Sequence, residues 1–291
     1  MLYDYVIAGS GIAGNVCAFL LSKKGYKCLI LEKEKERKEK ICGGGVSAKA
    51  LEMLHSIGMD MSELFKENFS YISGDCFRNE NLRVCAKHDY QKKAIGINRS
   101  IFDDFLMTQA IKAGASIKWG EKVKEVIKYN NLFNVNGNMS KHFVSAIGAR
   151  GFDIKRMPKG QSIGISCLIR GEAPILDNRF NFWYYNDKKD SYFWAFPIGY
   201  DLWNTGSWHR HRNKYIHKQF ENSIEFILKP YFPNGFEIVR KPKGEFLGNV
   251  NQSVNLSYGD GIGDFAGTNN IVNGGGIHHA IASAINYSKD I

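Results

Sequence analysis

The sequence contains no apolar run long enough to form a membrane-spanning helix. No stretch approaches the roughly 20 consecutive apolar residues that such a helix needs. Near the amino terminus the apolar run is interrupted at Asp4, which argues against a secretory signal peptide. Internal repeats, low-complexity linkers and proline-rich hinges are also missing. We therefore expect a cytoplasmic globular protein whose 291 residues form one large core or two closely packed ones.

The sequence also lacks the cysteine spacings that bind a metal or build a disulfide framework. Its cysteines include no C-x-x-C pair and no zinc spacing, and most stand in apolar context. They are Cys17, Cys28, Cys42, Cys76, Cys85 and Cys167. This pattern predicts reduced and mostly buried thiols, and no metal site.

Acidic residues are the minority among the charged ones, 29 against 39 basic residues, for a net charge of +10. Part of the excess is local, at Lys155-Arg156 and in the run from His209 to Lys214. Such charge favours an anionic partner, such as nucleic acid, phospholipid headgroups or a phosphorylated substrate. A lysine-rich solvated surface explains it equally well. We do not expect nucleic acid to be the partner, and the charge is compatible with peripheral contact with an anionic membrane.

A strand, a glycine-rich turn and a helix follow one another at the amino terminus. The apolar run Tyr3–Ala8 leads into a G-x-G-x-x-G motif made by Gly9, Gly11 and Gly14. In this motif the first glycine permits a tight turn, the second a close approach of pyrophosphate, and the third the packing of helix on strand. Glu32 ends the next predicted strand, at a spacing that suits a carboxylate binding ribose hydroxyls.

A second glycine-rich segment lies near the carboxyl end. Gly263-Asp264-Phe265-Ala266-Gly267 is followed by Asn273-Gly274-Gly275-Gly276-Ile277 and one final predicted helix. An Asp-bearing turn ahead of a second glycine-rich helix start favours FAD over NAD. The two segments together predict FAD binding more strongly than either does alone.

The elements between these segments divide into helical and strand-rich parts. Ser47 and Ser100 stand at the N-cap positions of predicted helices, and Lys122–Ile127 is one of several short predicted strands. The stretch 163–250 is rich in aromatic and β-branched residues, which is typical of a sheet. We predict an α/β, Rossmann-like FAD-binding domain (1–70, 95–160 and 251–291) with an inserted β-rich, α+β substrate-binding domain (71–94 and 161–250).

Four motifs make the chain similar to a known family. They are Cys42-Gly-Gly-Gly-Val-Ser47, Arg99-Ser-Ile-Phe-Asp-Asp-Phe-Leu106, Tyr192-Phe-Trp194-Ala-Phe196-Pro197 and Gly263-Asp264-Phe-Ala-Gly267. In this order, and over nearly the whole chain, they resemble the geranylgeranyl reductase family, within the p-hydroxybenzoate-hydroxylase-like flavoproteins. The aromatic motif discriminates best, because the family follows it with Gly-x-Gly. Gly206 stands at the first of those glycines, and Trp208 replaces the second.

The resemblance implies FAD as the cofactor and a set of residues that bind it. Asp264 would accept from a ribityl hydroxyl, Arg99 would hold the phosphate or ribityl region, and Val123 would contact adenine through its backbone. The glycines before the last helix would lie near flavin N1 and O2, where the helix dipole stabilises reduced flavin. The predicted set is Gly9, Gly11, Ile12, Ala13, Gly14, Glu32, Lys33, Gly43, Gly44, Arg99, Val123, Gly263, Asp264, Gly274, Gly275, Gly276 and Ile277.

Three residues are candidate catalytic groups, namely Cys42, Tyr192 and His278. Cys42 precedes glycines that would let the backbone approach the flavin, so its thiol is a candidate proton donor or redox group. The equal alternative is a small residue at a tight position. One of the histidines after the final glycines would titrate near neutral pH, although helix surface or packing fits it as well.

The predicted substrate-binding residues come from the aromatic motif and the strand after it. Half of the aromatic residues in this region are expected to be ordinary core, and half to line an apolar pocket. The predicted substrate-binding residues are Tyr192, Trp194, Phe196, Pro197, Gly206 and Trp208.

The chain departs from its relatives at several points. Gly148-Ala149-Arg150-Gly151 replaces the Gly-Ala-Asp-Gly of the related hydroxylases, and Arg150 argues against NADPH-dependent hydroxylation. The usual Asn-Pro is Asn270-Ile271 here. The sequence stops near the end of the last predicted helix, whereas longer family members continue, and this argues against a long prenyl substrate.

The predicted function is that of an FAD-dependent oxidoreductase. It would transfer a hydride between flavin N5 and a carbon–carbon double bond of a small apolar substrate, of isoprenoid or lipid type. The alternative is a flavin-dependent monooxygenase or halogenase-like enzyme acting on an aromatic or other small apolar substrate. The electron donor is open between ferredoxin, NAD(P)H and another flavoprotein.

Overall fold

The computed structural model describes residues 1–37, 40–149, 162–184, 191–210, 215–247, 259–268, 275–289 and 291. Several residues singled out above lie outside these ranges, namely Arg150, Lys155, Arg156, the segments 211–214 and 270–271, and Gly274. The strands are β1 Leu2–Ala8, β2 Cys28–Glu32, β3 Gly45–Val46, β4 Phe69–Arg78, β5 Val84–Ile97, β6 Ser116–Trp119, β7 Val126–Tyr129, β8 Leu132–Val135, β9 Asn138–Ser145, β10 Ser162–Arg170, β11 Phe180–Tyr184, β12 Ser191–Pro197, β13 Leu202–His209, β14 Glu237–Leu247 and β15 Asp260–Gly261. The α-helices are α1 Ile12–Lys23, α2 Ala48–Ser56, α3 Met61–Leu64, α4 Arg99–Lys112, α5 Ile216–Ser223 and α6 Ile277–Lys289.

A largely parallel sheet carries both ends of the chain. Within the described ranges its strand order is β6-β2-β1-β9-β8-β7, with β15 beside β9. β1 pairs in parallel with β2 and β9, and β15 also runs parallel to β9. The carboxyl ends of parallel strands meet at one edge of a sheet. The turns after β1, β9 and β15 therefore lie together.

Both faces of β1 are covered, which explains its continuous apolar sequence. Ile7 faces a core that includes Val16 of α1, Phe102 of α4 and Ile281 of α6. Val6, on the other face, belongs to a separate core with residues of β8 and β9. A central strand buried on both faces is the pattern expected for a parallel sheet.

A second sheet holds the aromatic motif. Its order is β14-β10-β13-β12-β11-β4-β5-β3, and its described pairs are antiparallel except β4 with β11. β3 pairs with β5 and so attaches the segment after Cys42 to this sheet. Phe220 of α5 packs in the core on one face, together with Trp183, Phe193 and Trp203.

The predicted fold class is confirmed, and two local predictions are wrong. Ser47 caps α2 by accepting from the backbone N–H of Ala50, as expected. Ser100 does not cap α4, because the side chain of Asn98 accepts the Ser100 N–H and the helix begins at Arg99. The strand expected at Lys122–Ile127 begins only at Val126, since the side chain of Asn136 takes the N–H groups of residues 124 and 125. The predicted domain boundaries stay a prediction.

No helix in the described part of the chain is long and apolar enough to cross a membrane. In the same ranges no three side chains of His, Cys, Asp or Glu are grouped to hold a metal ion. The cysteines are unpaired, and burial raises the pKa of the Cys28 thiol to about 11. Cys85 is exposed and Cys42 is half-buried.

Candidate functional site

The three glycines of the first motif serve three different structural needs. Gly9 has φ +101°, and a Cβ there would lie 2.6 Å from the carbonyl oxygen of Ala146 after β9. A Cβ on Gly14 would lie 2.0 Å from the carbonyl oxygen of Gly9, so the helix sits directly against the turn. A Cβ on Gly11 would meet no atom of the described chain within 4 Å. Gly9 and Gly14 thus allow the turn to close, and Gly11 leaves the outer face of the turn open.

The open face of Gly11 coincides with the amino terminus of α1. Gly11 is the N-cap residue of α1, and no side chain of the described residues caps this end. The side chains of Ile12 and Ala13 are buried, so these residues can reach a ligand only through backbone N–H groups. Free N–H groups and the helix dipole favour a negatively charged group. The turn therefore fits the pyrophosphate of a dinucleotide.

Glu32 is held next to this turn. Its carboxylate accepts from the backbone N–H of Ser10 at 2.8 Å and of Glu34 at 3.1 Å. These bonds fix the side chain at the end of β2, where a ribose would lie beside the pyrophosphate. The side chain of Lys33 is exposed and lies 3.8 Å from Glu34.

Arg37 also belongs to this region, although it stands in a run of mixed Glu and Lys residues. Its guanidinium donates to the carbonyl of Ser10 at 2.9 Å and pairs with Asp104 at 2.7 Å. It also lies over the ring of Trp119, 5.4 Å from the centroid. The mixed Glu and Lys run around it carries no signal for these contacts, which depend on α4 and β6.

The second glycine-rich segment meets the first. Gly263 has φ +63°, and a Cβ there would lie 2.8 Å from the Cβ of Ala13 in the first turn of α1. Its N–H donates to Ser283 of α6 at 2.8 Å. The neighbouring Asp264 is half-buried, 3.8 Å from the ammonium group of Lys40. The two ends of the sequence therefore form one continuous region.

The remaining predicted cofactor residues lie on both sides of this region. Gly275 and Gly276 precede α6, and their carbonyls accept from the His279 ring and the Ala280 N–H, respectively. Ile277 is buried at the start of α6. Val123 is buried in the core on the far face of β1. Its contact with adenine stays a prediction.

The Cys42–Gly44 segment lies against the second sheet. A Cβ on Gly43 would lie 2.8 Å from the ring of Phe196 and 3.2 Å from the indole nitrogen of Trp194. Gly44 has φ +77°, and a Cβ there would lie 2.3 Å from the carbonyl oxygen of Ile97. Gly43 therefore brings the backbone against the aromatic face, and Gly44 packs it against the end of β5.

Asn204 ties this segment to the aromatic motif, and sequence reasoning missed it. Its amide nitrogen donates to the carbonyl of Cys42 at 2.7 Å, and its amide oxygen accepts from the Trp194 indole at 3.0 Å. Asn204 is buried, and it shares a strand face with Gly206 and Trp208. The alternation along β13 could have identified Asn204 from the sequence, because a buried Asn among aromatic residues requires hydrogen-bond partners.

The aromatic residues divide between the two faces of the second sheet. Tyr192, Trp194 and Phe196 alternate along β12 and form ring contacts with one another on one face. The Trp194 indole covers Gly206, where a Cβ would lie 2.2 Å from it. Trp208 stacks on Tyr192, with ring centroids 5.5 Å apart. Pro197 alternates with Phe196 and falls on the opposite side of β12, its carbonyl against Gly96.

A buried ion pair lies beside the Cys42 thiol. The Arg99 guanidinium donates to both carboxylate oxygens of Asp103, at 2.9 and 3.1 Å. Burial alone would lower the pKa of Arg99, but the Asp103 carboxylate and the adjacent Cys42 raise it above its ordinary value. Arg99 therefore keeps a permanent positive charge next to the sulfur.

The other two catalytic candidates differ in environment. Burial raises the pKa of the Tyr192 hydroxyl, and Tyr184 and Cys42 raise it further. Burial lowers the pKa of His278, with further lowering by His279 and Lys49. The structure thus brings Cys42, Tyr192 and Arg99 together, whereas the groups that act on His278 belong to α6 and α2.

The chain is similar to several known proteins. Residues 3–136 match a family model described as an FAD binding domain. Digeranylgeranylglycerophospholipid reductase of Methanocaldococcus jannaschii is 25% identical over 306 aligned residues, which cover 96% of this chain and 74% of the relative. An uncharacterised protein of Methanosarcina barkeri is 28% identical, and the match spans 67% of this chain and about half (51%) of that protein.

Two solved structures share the fold. A geranylgeranyl bacteriochlorophyll reductase-like protein from Thermoplasma acidophilum has a TM-score of 0.80 at 20% identity, covering 99% of this chain and 77% of that one. A flavin-dependent brominase has a TM-score of 0.81 at 21% identity, covering 99% and 78%. The open cradle at Gly11 and the anchored Glu32 fit FAD, in agreement with the FAD binding domain model that matches residues 3–136.

Proposed function

We propose that this FAD-binding protein, which resembles the geranylgeranyl reductase family over nearly its whole length, is an oxidoreductase that reduces a carbon–carbon double bond in a small apolar substrate. The observation that carries the proposal is the position of the Cys42–Gly44 segment. It joins the dinucleotide region to the aromatic face of the second sheet, and Asn204 holds it there. A substrate on that face would lie next to Cys42.

The aromatic face suits an apolar, unsaturated substrate. Tyr192, Trp194 and Phe196 offer ring surfaces on which a hydrocarbon can pack while water is excluded. Gly43 and Gly206 have no side chain, so the backbone lies directly against these rings at both positions. The same residues therefore orient the double bond and shield it from solvent.

When bound in its reduced form, FAD supplies a hydride for one carbon of the double bond. The chain must supply the proton for the other carbon. We assign it to the Cys42 thiol, because this half-buried thiol lies against the aromatic face and next to the Arg99 guanidinium. The thiolate is then reprotonated from solvent. Dehydrogenation, the reverse reaction, would use the same residues with Cys42 accepting the proton.

Tyr192 and His278 are weaker candidates for the proton donor. The raised pKa of Tyr192 keeps its hydroxyl protonated, which favours binding or positioning over proton release. The lowered pKa of His278 leaves its ring neutral near pH 7. A neutral imidazole is a poor acid at that pH.

A second function is supported by the likeness to the brominase. That structure matches 99% of this chain, although at 21% identity the likeness concerns the fold alone. On this alternative the aromatic face would hold an aromatic substrate for oxygenation or halogenation. The half-buried Cys42 thiol beside the buried Arg99 guanidinium gives no account of that chemistry, so we place the alternative second.

The catalytic cycle requires a partner that reduces FAD. Ferredoxin, NAD(P)H or another flavoprotein would serve, and a donor protein would be drawn to a chain with a net charge of +10 if its own surface were acidic. The same charge supports contact with an anionic membrane surface, from which a lipid substrate would be taken.

The proposal is tested with the FAD-loaded protein under anaerobic conditions. The flavin is reduced chemically, and its reoxidation is followed by absorbance after addition of geraniol or geranylgeraniol. Reoxidation coupled to saturation of one double bond, identified by mass spectrometry, supports the proposal. Failure of both alkenes, with rapid reoxidation by oxygen and an oxygenated or halogenated aromatic product, supports the alternative.

A further inference from the structure

Trp208 carries a polar group that has no partner among the residues that the structure describes. Its side chain is only 4% exposed, and its indole N–H is buried with no hydrogen-bond acceptor in the described structure. A buried donor without an acceptor is costly and rare in folded proteins. Trp194, on the same sheet face, satisfies its own N–H through Asn204. A substrate on the aromatic face can supply the acceptor that the described residues do not offer to the Trp208 N–H.

The position of Trp208 places that acceptor at one end of the aromatic face. Asn204, Gly206 and Trp208 alternate on the same face of β13, and Asn204 contacts Cys42. At about 3.3 Å per residue, Trp208 lies roughly 13 Å along the strand from Asn204. Its ring stacks on Tyr192, with an interplanar angle of 26°. A large side chain thus bounds the face at the end of β13 that lies away from Asn204.

We propose that Trp208 is a specificity-determining residue, whose indole N–H donates to an oxygen of the substrate and whose ring limits the length of the site. The substrate would then be a short amphipathic alkene, with its reacting double bond near Cys42 and an alcohol, ether or carbonyl oxygen near Trp208. This inference rests on the proposed function, because it takes the aromatic face as the substrate site.

Trp183 provides a matched control. Its indole N–H is also buried without an acceptor in the described ranges, and its side chain is 1% exposed. It lies on the opposite face of the same sheet, in the core with Phe193 and Tyr231. Replacing either tryptophan with phenylalanine removes one unpaired N–H and keeps an aromatic ring. Only the change at Trp208 should affect a ligand on the aromatic face.

The test compares Trp208→Phe with Trp183→Phe, both loaded with FAD. The probes are geraniol and the hydrocarbon of the same skeleton without the hydroxyl group. Binding is measured from the perturbation of the flavin absorbance spectrum. We expect Trp208→Phe to weaken geraniol binding about tenfold and to leave hydrocarbon binding unchanged. Trp183→Phe should bind both probes like the original protein.

Two results would overturn the inference while leaving the proposed function intact. One is an equal loss of affinity for both probes in Trp208→Phe, which would mean that only ring packing matters. The other is a loss of FAD affinity in that variant, which would place the acceptor on the cofactor. If the original protein binds FAD but neither probe, the substrate class under the proposed function is wrong.

A second measurement keeps the test decisive if Trp208→Phe folds poorly. In the unchanged protein, the ¹H–¹⁵N resonance of the Trp208 indole should move downfield on addition of geraniol and not on addition of the hydrocarbon. The Trp183 indole resonance should not move with either probe. An unmoved Trp208 resonance in a geraniol-saturated protein would contradict the inference.

Discussion

Cys42 is held through its backbone, while its side chain lies beside a buried guanidinium. Asn204 fixes the carbonyl of Cys42, and the glycine at position 43 brings the segment against Phe196. The Cys42 thiol therefore has a defined position next to the Arg99 guanidinium. A thiol held in this way is placed to deliver a proton to a substrate on the aromatic face.

We predict that Cys42→Ala lowers the rate of alkene reduction by about 100-fold or more, the usual contribution of a general acid. FAD binding should not change. Cys85→Ala is the control, because Cys85 is an exposed cysteine on β5. Single-turnover reoxidation of the reduced protein by geraniol measures the rate. If Cys42→Ala reduced the alkene at the full rate, Tyr192 would become the proton donor. Tyr192→Phe would then abolish alkene reduction.

Arg99 and Asp103 form a pair in which each group depends on the other. Both side chains are 5% exposed, and they are one helical turn apart on α4. We predict that Arg99→Leu destabilises the protein by about 3–5 kcal/mol, because it leaves the Asp103 carboxylate buried without a partner. Arg99→Leu combined with Asp103→Leu should recover most of that loss in urea unfolding. Additive losses in the double variant would show that the two side chains do not act as a pair.

The environment of His278 predicts that acid lowers the stability of the protein. Burial, His279 and Lys49 lower its pKa in the folded state, so the unfolded chain binds a proton more readily. The free energy of unfolding should therefore fall as the pH drops below the ordinary histidine value of about 6.5. His278→Gln should show a smaller loss between pH 7 and pH 5 in urea titrations. An identical pH dependence in both proteins would contradict this assignment.

The turn between β1 and α1 separates structural glycines from a ligand-facing one. At Gly11 an added Cβ meets no described atom within 4 Å, and the backbone φ of −87° suits alanine. Gly11→Ala should therefore fold normally but lower FAD affinity by about tenfold or more, because the methyl group occupies the space for the pyrophosphate. Fluorescence titration with FAD measures the affinity.

Gly14→Ala is the structural counterpart of Gly11→Ala. Its Cβ would lie 2.0 Å from the carbonyl oxygen of Gly9, so the variant should lose stability whether or not FAD is present. Normal FAD affinity in Gly11→Ala, or normal stability in Gly14→Ala, would contradict this division of the glycines.

The elements whose bounds depend on neighbouring residues could be predicted from the sequence. The elements whose bounds depend on contacts with distant residues could not. The glycine turn, the Ser47 cap and the helix after it depend on residues within a few positions of one another. The cap of α4 was missed because Asn98 and Ser100 are both good capping residues and only the chain direction out of β5 decides between them. The strand at residues 122–127 was misplaced because Asn136, across a turn, occupies its backbone donors.

In the candidate site, too, local patterns could be predicted from the sequence and contacts between distant segments could not. The alternation of the aromatic motif indicated which rings share a face, and the structure places Tyr192, Trp194 and Phe196 together. The contacts of Asn204 and Arg37 join segments far apart in the sequence, and no spacing rule specifies them. Polar residues that organise a site from a distance are therefore the part that sequence reasoning misses.

At the scale of the whole molecule, the two sheets provide different parts of the candidate site. The parallel sheet gathers the turns after β1, β9 and β15 at one edge, which is where α/β folds bind nucleotides. The second sheet presents an aromatic face, and β3 connects the two regions through the Cys42–Gly44 segment. The cofactor and the substrate would meet at this connection.

The most direct test of this account is anaerobic reoxidation of the reduced, FAD-loaded protein by geraniol. We predict that the oxidised flavin spectrum returns in step with saturation of one double bond, and that Cys42→Ala slows both together while Cys85→Ala does not. A reduced flavin that geraniol and geranylgeraniol leave unchanged, but that oxygen reoxidises with modification of an aromatic substrate, would contradict the account.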